Sequence, residues 1–432
     1  MTADNRQLIA SINGQAVGTL CDEGGFWTFQ YAADWLANPA RYAISPKLPL
    51  QSEKIVDSGS LRPVQWFCDN LLPEETAREL LARDAALDVD DAWGLLSYFG
   101  AESAGAITLL PPNHPPLAAG LRPLSEEKLQ QRIDLLPRRS LSADSPKRMS
   151  LAGVQAKLAV VVKNLTIFEP MGSECSTHIL KPDSKVEGYP HTAINEYFCM
   201  TLAGHVGLPV PNVSFRQTLS PIYLIERFDR RLKDDVVARI HTLDALQLLS
   251  LDRRLKYAKA SADTLNDCIA LCRTAAQARI NLYRWTVFNI LIGNHDAHMK
   301  NISFLVGANG ITLAPFYDLV STVIYTTREH DPRPPFWPDV QLTMPIGNAK
   351  FFADLTAEDV IAFGVQLGLK ERVAANLLAQ MVSRLNHGLA ALVEGFKTFT
   401  TAGQQRVISA ILALPIREMS EKLRQQKPAK PT

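Results

Sequence analysis

A nearly all-apolar run that stops abruptly in a dense polar cluster constrains this 432-residue chain more than any other feature. From Ile280 to Ile292 the sequence INLYRWTVFNILI is apolar at almost every angle around a helix, which predicts a helix buried on most sides. Gly293 ends it, and Asn294, His295, Asp296, Ala297, His298, Met299, Lys300 and Asn301 follow. Polar groups at the end of a buried helix cost roughly 2–7 kcal/mol each when nothing satisfies them, so packing alone does not account for the cluster. Further on, Gly310-Ile-Thr-Leu-Ala-Pro-Phe-Tyr-Asp318 predicts a short strand that delivers a second carboxylate.

Asp296 and Asn301 stand five apart, the D-x-x-x-x-N spacing of a phosphoryl-transfer loop. In such a loop the Asp orients the attacking hydroxyl and the Asn holds a magnesium ion, while a later Asp, here Asp318, holds metal as well. A zinc site at His295, Asp296 and His298 is a weaker reading, because it leaves Asn301 and Asp318 unexplained.

The chain is long enough for two or three domains. Its 45 basic and 44 acidic residues leave a formal charge of +1, which argues against DNA binding by bulk charge. Six cysteines without C-x-x-C pairing, and a polar N-terminus, predict reduced thiols in a cytoplasm. No run of about 18 apolar residues predicts a membrane span.

In order, residues 8–12 and 16–20 around Asn13-Gly14 predict a hairpin, with 26–31 as a third strand. Helices are expected at 72–87 and 91–98, making 1–110 a small α+β domain with no sign of chemistry. Pro-rich 111–116 opens a linker to about 147 that carries a short helix at 125–135. Met149 to Lys157 then leads into the strand 158–162; such a loop can wrap phosphate, or be an ordinary turn. A strand at 177–182 carries Lys181, which can serve a ligand or snorkel at a sheet margin. On the helix from Thr192 to Val206, Glu196 can pair with that lysine or face solvent. The strand 221–226 runs into Arg227, Phe228, Asp229 and Arg230, and Thr242 is expected to cap a helix beginning at Leu243. Beyond it the pattern is mostly helical, near 262–277, 280–292, 356–368, 370–395 and 402–424, with a surface loop at 326–338.

Five stretches taken together, Ser150–Lys157, Thr177–Pro182, Ile225–Arg230, Gly293–Asn301 and Pro315–Asp318, resemble the motifs of HipA-type serine/threonine kinases, the toxin halves of bacterial HipBA pairs. The resemblance covers nearly the whole chain, with Ala156 standing where many members carry an acidic residue. It implies an α+β chain: a small N-terminal subdomain (1–110), a linker (111–147), a kinase N-lobe (148–230) and a helical C-lobe (231–432). It implies ATP and Mg²⁺ as cofactors. Ala152, Gly153, Val154, Gln155, Lys157 and Lys181 would hold phosphates, and the backbone of Glu226, Arg227 and Phe228 would meet adenine. Asp296 would be catalytic, Asn301 and Asp318 would hold metal, and Glu196 would partner a lysine. His298 and Lys300 are counted with the nucleotide set, either shaping the loop or lying near the γ-phosphate. Ser150 would be a self-inactivating autophosphorylation site. A HipB-like helix-turn-helix antitoxin is the implied partner, supplying most contacts to operator DNA, and a glutamate–tRNA ligase is a candidate substrate.

Two other readings compete. A small-molecule phosphotransferase of the antibiotic type uses a similar loop, but with a His two places before the Asp, where Asn294 stands here. A catalytically silent corepressor is opposed by the intact Lys181, Asp296, Asn301 and Asp318.

Overall fold

The computed structural model describes residues 6–114, 118–149, 151–233, 236–326 and 340–424. The fold is mixed α+β and divides into two compact units. The first comprises Met1–Lys185, Thr218–Lys256 and Ile302–Ala314; the second comprises Val186–Gln217, Tyr257–Asn301 and Pro315–Thr432.

The first unit opens on an antiparallel sheet whose strands run in the order Ile55–Val56, Phe26–Tyr31, Gln15–Glu23, Arg6–Ile12, Ile107–Leu110. The expected hairpin is there, with positive φ at both Asn13 and Gly14, the turn that matches strand twist. Alternation aims Leu8, Ala10 and Ile12 inward. The helix expected at 72–87 spans Glu75–Ala85, and an unexpected one, Pro63–Asp69, precedes it. The helix Ala92–Phe99 is capped by Asp91, whose carboxylate accepts from the Gly94 N–H.

A second sheet in this unit orders Ile222–Glu226, His178–Pro182, Leu158–Lys163, Thr166–Met171 and Gly120–Pro123. Leu158, Val160, Leu180, Ile222 and Leu224 pack with Leu129 and Ile133 of the helix Glu126–Asp134 into one apolar cluster. A third sheet corrects an expectation: residues 241–244 form a strand, paired with Ser303–Val306, and not a helix start. All four residues are buried, so the ladder captures their backbone groups. The cap is Asp244 in place of Thr242; its side chain and that of Gln247 form a reciprocal capping box for Ala245–Leu249.

The second unit is mainly helical: Thr192–His205, Ala262–Leu271, Ala275–Leu291, Ala357–Gln366, Glu371–Asn386, Leu389–Lys397, Ala402–Ile411 and Arg417–Lys422. Thr356 caps the fourth of these with Asp359 in a capping box. The single helix expected at 370–395 is broken at His387-Gly388, where the backbone turns left-handed. The one expected at 402–424 contains a π-helical turn, Leu412–Ile416, around Pro415, which has no N–H to give the helical ladder. A strand pair, Gln341–Ile346 with Ala349–Phe351, stands between the expected loop and the helix expected at 356–368, where no element is expected. The expected surface loop at 326–338 lies, except for Thr326, outside the described residues. All six cysteines are free thiols, and no described helix is long and apolar enough to cross a membrane.

Candidate active site

The helix Ala275–Leu291 is buried almost continuously from Leu282 to Leu291, as its sequence requires. One of its polar residues, Asn289, is spent on the loop that follows. Asn289 donates to the Trp285 carbonyl and accepts from the Asn294 side chain at 2.8 Å, while the Asn294 N–H donates to the Asn289 carbonyl. Gly293 makes the exit: its φ is +64, and a Cβ there would lie 2.3 Å from Val323 Cγ1. Its carbonyl accepts from the N–H groups of Thr322 and Val323.

The loop is then closed on itself. The Asn294 side-chain oxygen accepts the Asp296 N–H, the Asp296 carbonyl accepts the His298 N–H, and the His298 carbonyl accepts the Asn301 N–H. The Asn301 amide nitrogen donates to the Asp296 carbonyl at 2.9 Å, spanning the five-residue interval. That bond leaves Oδ1 as the atom able to meet a hard cation, the oxygen donor magnesium requires. The Asp296 side chain is 47 % exposed. The Tyr257 hydroxyl donates to its Oδ1 at 2.5 Å, and His298 Nε2 lies 3.9 Å from the same oxygen.

His295 is turned the other way. Thr322 Oγ1 accepts its N–H at 2.8 Å and meets its Nδ1 at 2.7 Å, and Thr343 Oγ1 donates to its carbonyl. Burial pushes the His295 pKa down, against the opposing charge of Asp296. With Nδ1 engaged by a hydroxyl, His295 serves loop geometry, and among the described residues no three His, Cys, Asp or Glu side chains are grouped to hold a metal ion.

Asp318 belongs to the same unit and is tied to the same loop. The Tyr317 hydroxyl donates to the Lys300 carbonyl at 2.9 Å, the Phe316 N–H donates to the Pro209 carbonyl, and the Phe316 ring stacks on Trp285. Asp318 itself has φ +58, a strained setting for a side-chain-bearing residue and one frequent at functional sites. His298, Lys300 and Asn301 are all buried. The structure therefore draws Asp296, His298, Lys300, Asn301 and the Tyr317–Asp318 segment into one constellation.

The first unit holds the other expected residues. Met149 and Leu151 are buried in the apolar cluster, so the loop between them and Leu158 is anchored at both ends, with Ala156 packed against the cluster, Val154 exposed and the other residues from Ala152 to Lys157 half-buried. Ser150 lies outside the described residues. Gly153 has φ +102, and a Cβ would sit 2.7 Å from Lys157 Nζ, which donates to the Ala152 carbonyl. Among the described residues, the N–H groups of Ala152, Gly153, Val154, Gln155 and Ala156 find no acceptor. Unpaired donors around a left-handed glycine, with a lysine beside them, suit a phosphate. Lys181 is buried opposite Tyr223, its Nζ 6.0 Å from that ring. Glu196, in the second unit, is buried at 3 % exposure and does not face solvent.

The stretch Glu226 to Arg230 divides its labour. Glu226 is exposed, whereas the Arg227 side chain is buried and its N–H donates to the Thr177 carbonyl. Arg227, Arg230, Arg239 and Lys147 converge on Glu102 at 2.6–3.2 Å, and Arg227 and Arg230 also hold Asp229. An arginine expected at adenine through its backbone thus puts its side chain into the architecture.

The roles of four residues around the site escaped the sequence: Asn289, Asn294, Thr322 and Tyr257. A signal existed for the first two, since asparagines inside and at the end of an apolar helix must find partners. Thr322 and Tyr257 reach the loop from 27 and 39 residues away, and no local pattern announces them.

Comparison with known proteins finds relatives over nearly the whole chain. Residues 149–389 match the HipA-like C-terminal domain and residues 8–110 the HipA N-terminal domain. A candidate kinase of Sinorhizobium fredii, Y4mE, is 33 % identical over 88 % of this chain and 90 % of its own. The serine/threonine-protein kinase toxin HipA of Shewanella oneidensis is 29 % identical over 91 % of this chain and 90 % of its own. The solved complex of Shewanella oneidensis HipA, HipB and operator DNA contains a chain that superposes with a TM-score of 0.77. That match has 26 % identity and covers 97 % of this chain and all of the other.

Proposed function

This chain belongs to the HipA family and is a serine/threonine-protein kinase of that family, and from that premise we propose that it acts through Mg²⁺ and ATP with Asp296 orienting the acceptor hydroxyl. The observation that carries the reading is the closed loop, in which the Asn301 amide holds the Asp296 carbonyl and leaves the Asp296 carboxylate half-exposed. Phosphoryl transfer asks a protein chiefly for positioning and for charge around the transferred group. Asn301 Oδ1 and the Asp318 carboxylate are the oxygen donors for Mg²⁺, which supplies charge neutralisation when bound. The N–H groups of 152–156, Lys157 and Lys181 are the donors for phosphate, and Glu226 to Phe228 offer the backbone for adenine. We read 1–110 as a subdomain appended to a kinase core beginning near 148.

The finer reading follows the relatives. Solved HipA is found with HipB and operator DNA; a HipB-like antitoxin is the partner proposed for this chain, bringing it to DNA in the cytoplasm. A translation component such as a glutamate–tRNA ligase is the proposed substrate. Ser150 is proposed as an autophosphorylation site, since a phosphate there adds about −1.5 to −2 charges and would compete with ATP for the loop's donors and for Lys157.

Calorimetric titration with Mg-ATP tests the core of this. Binding is expected, and Asp318→Asn should weaken it by about tenfold or more because the negative charge on a metal ligand is lost. Wild-type protein free of phosphate that takes up no Mg-ATP would overturn the reading. Induction without its antitoxin should arrest growth, and intact mass of that protein should show one phosphate, at Ser150.

A further inference from the structure

The Tyr257 hydroxyl makes the bond to Asp296 that an incoming acceptor has to make. Its O–H donates to Oδ1 at 2.5 Å, within the range of a strong bond to an ionised carboxylate. A kinase that uses an Asp to orient a serine or threonine hydroxyl needs a carboxylate oxygen facing that same kind of donor.

The setting is that of an occupant and not of a strut. Tyr257 is 46 % exposed and the Asp296 side chain 47 % exposed, so the bond lies at the surface of its unit. The loop does not need the phenol to keep its shape: Asp296 is fixed through its own backbone, by Asn294 at its N–H and by His298 and Asn301 at its carbonyl. The ring meets His298 edge-to-face, centroids 5.1 Å apart, beside the carboxylate. A turn, with the Ala260 N–H donating to the Tyr257 carbonyl, carries the side chain.

We propose that Tyr257 is an acceptor-site residue that fills the acceptor-hydroxyl position on Asp296 and must be displaced before a serine, a threonine or water can be oriented there. The proposal rests on Asp296 being the orienting carboxylate. It sets a threshold on acceptors: a protein that inserts its hydroxyl with enough additional contact displaces the phenol, and solvent does not. Hydrolysis of ATP by water, in which water oxygen bonds to the γ-phosphorus, the bond to ADP breaks and a water proton passes towards Asp296, is thereby held down.

The test needs no identified substrate. ADP release from Mg-ATP is measured on the full chain without added acceptor. Tyr257→Phe removes only the hydroxyl, and Tyr257→Ala also vacates the space. Both should raise hydrolysis, by about tenfold for the loss of one charge-assisted bond, with the KM for ATP unchanged. Adding Asp296→Gln to Tyr257→Phe should cancel the gain. Hydrolysis that falls in Tyr257→Phe would make the phenol an orienting group and overturn the proposal, as would an unchanged rate in both variants. If the Asp296→Gln single variant keeps full hydrolysis, the assignment of Asp296 fails instead, and the two failures are told apart.

Discussion

Glu102 and Asp296 are both carboxylates ringed by donors, and their surroundings differ in every respect that matters. Glu102 has no exposure, and Arg239, Lys147, Arg230, Arg227 and the Ser176 hydroxyl converge on its two oxygens. Burial pushes its pKa up, and the combined pull of those four cations outweighs burial and holds it well below the usual carboxylate range. Asp296 is half-exposed, with a tyrosine hydroxyl on one oxygen and a histidine nitrogen at 3.9 Å. A buried charge persists only when it is fully paired, and once fully paired it has no capacity for a substrate. A reactive carboxylate needs the opposite arrangement, with the backbone fixed and the side chain accessible. One chain uses the same functional group to hold a fold together and to orient a reaction.

The sharpest separation of the two comes from Glu102→Gln. Among the described residues, removing that charge leaves Lys147 and Arg239 with no carboxylate and Arg227 and Arg230 with Asp229 alone, and should cost on the order of 3–5 kcal/mol of folding stability, read from the denaturant midpoint. Transfer per folded molecule should change far less. A variant with wild-type stability would show that the network is not architectural.

A pH titration of stability comes next. His241 sits in the first unit with Nε2 against the Ile44 carbonyl and, among the described residues, no partner for Nδ1. Burial pushes its pKa down to about 4, with the Ile44 bond opposing. A native value below the unfolded one favours the neutral ring. Its contribution is therefore full above about pH 6.5 and is lost as pH falls towards about 4, amounting to ~3 kcal/mol. His241→Gln should flatten that limb of the stability curve. A limb that stays equally steep would place the titrating group elsewhere.

Thr322→Val should have the smallest effect. It leaves the His295 N–H without its acceptor, which costs about 1–2 kcal/mol and loosens the catalytic loop, lowering transfer a few-fold. A loss of transfer as complete as that expected for a reacting group would mean that the hydroxyl does more than position His295.

Much of this was legible in the chain because it is local. The hairpin at Asn13-Gly14, the buried helix before Gly293 and the Asp296–Asn301 interval are set by neighbours a few residues apart. What escaped was set by distance. Residues 241–244 read as a helix start because the partner strand, Ser303–Val306, lies some 60 residues on. Arg227 read as part of a nucleotide-facing stretch because Glu102, which captures its side chain, lies 125 residues before it. The left-handed backbone at Asp318 has no sequence signal beyond the tolerance of Asp for it.

The measurement that bears most directly on the account is transfer of labelled phosphate from Mg-[γ-³²P]ATP to protein by Asp296→Gln, with nucleotide affinity measured on the same preparation. An acceptor-orienting carboxylate in a folded, nucleotide-competent enzyme predicts transfer lowered by roughly 10²–10⁴-fold and affinity for Mg-ATP within a few-fold of wild type. Transfer at the wild-type rate would contradict it.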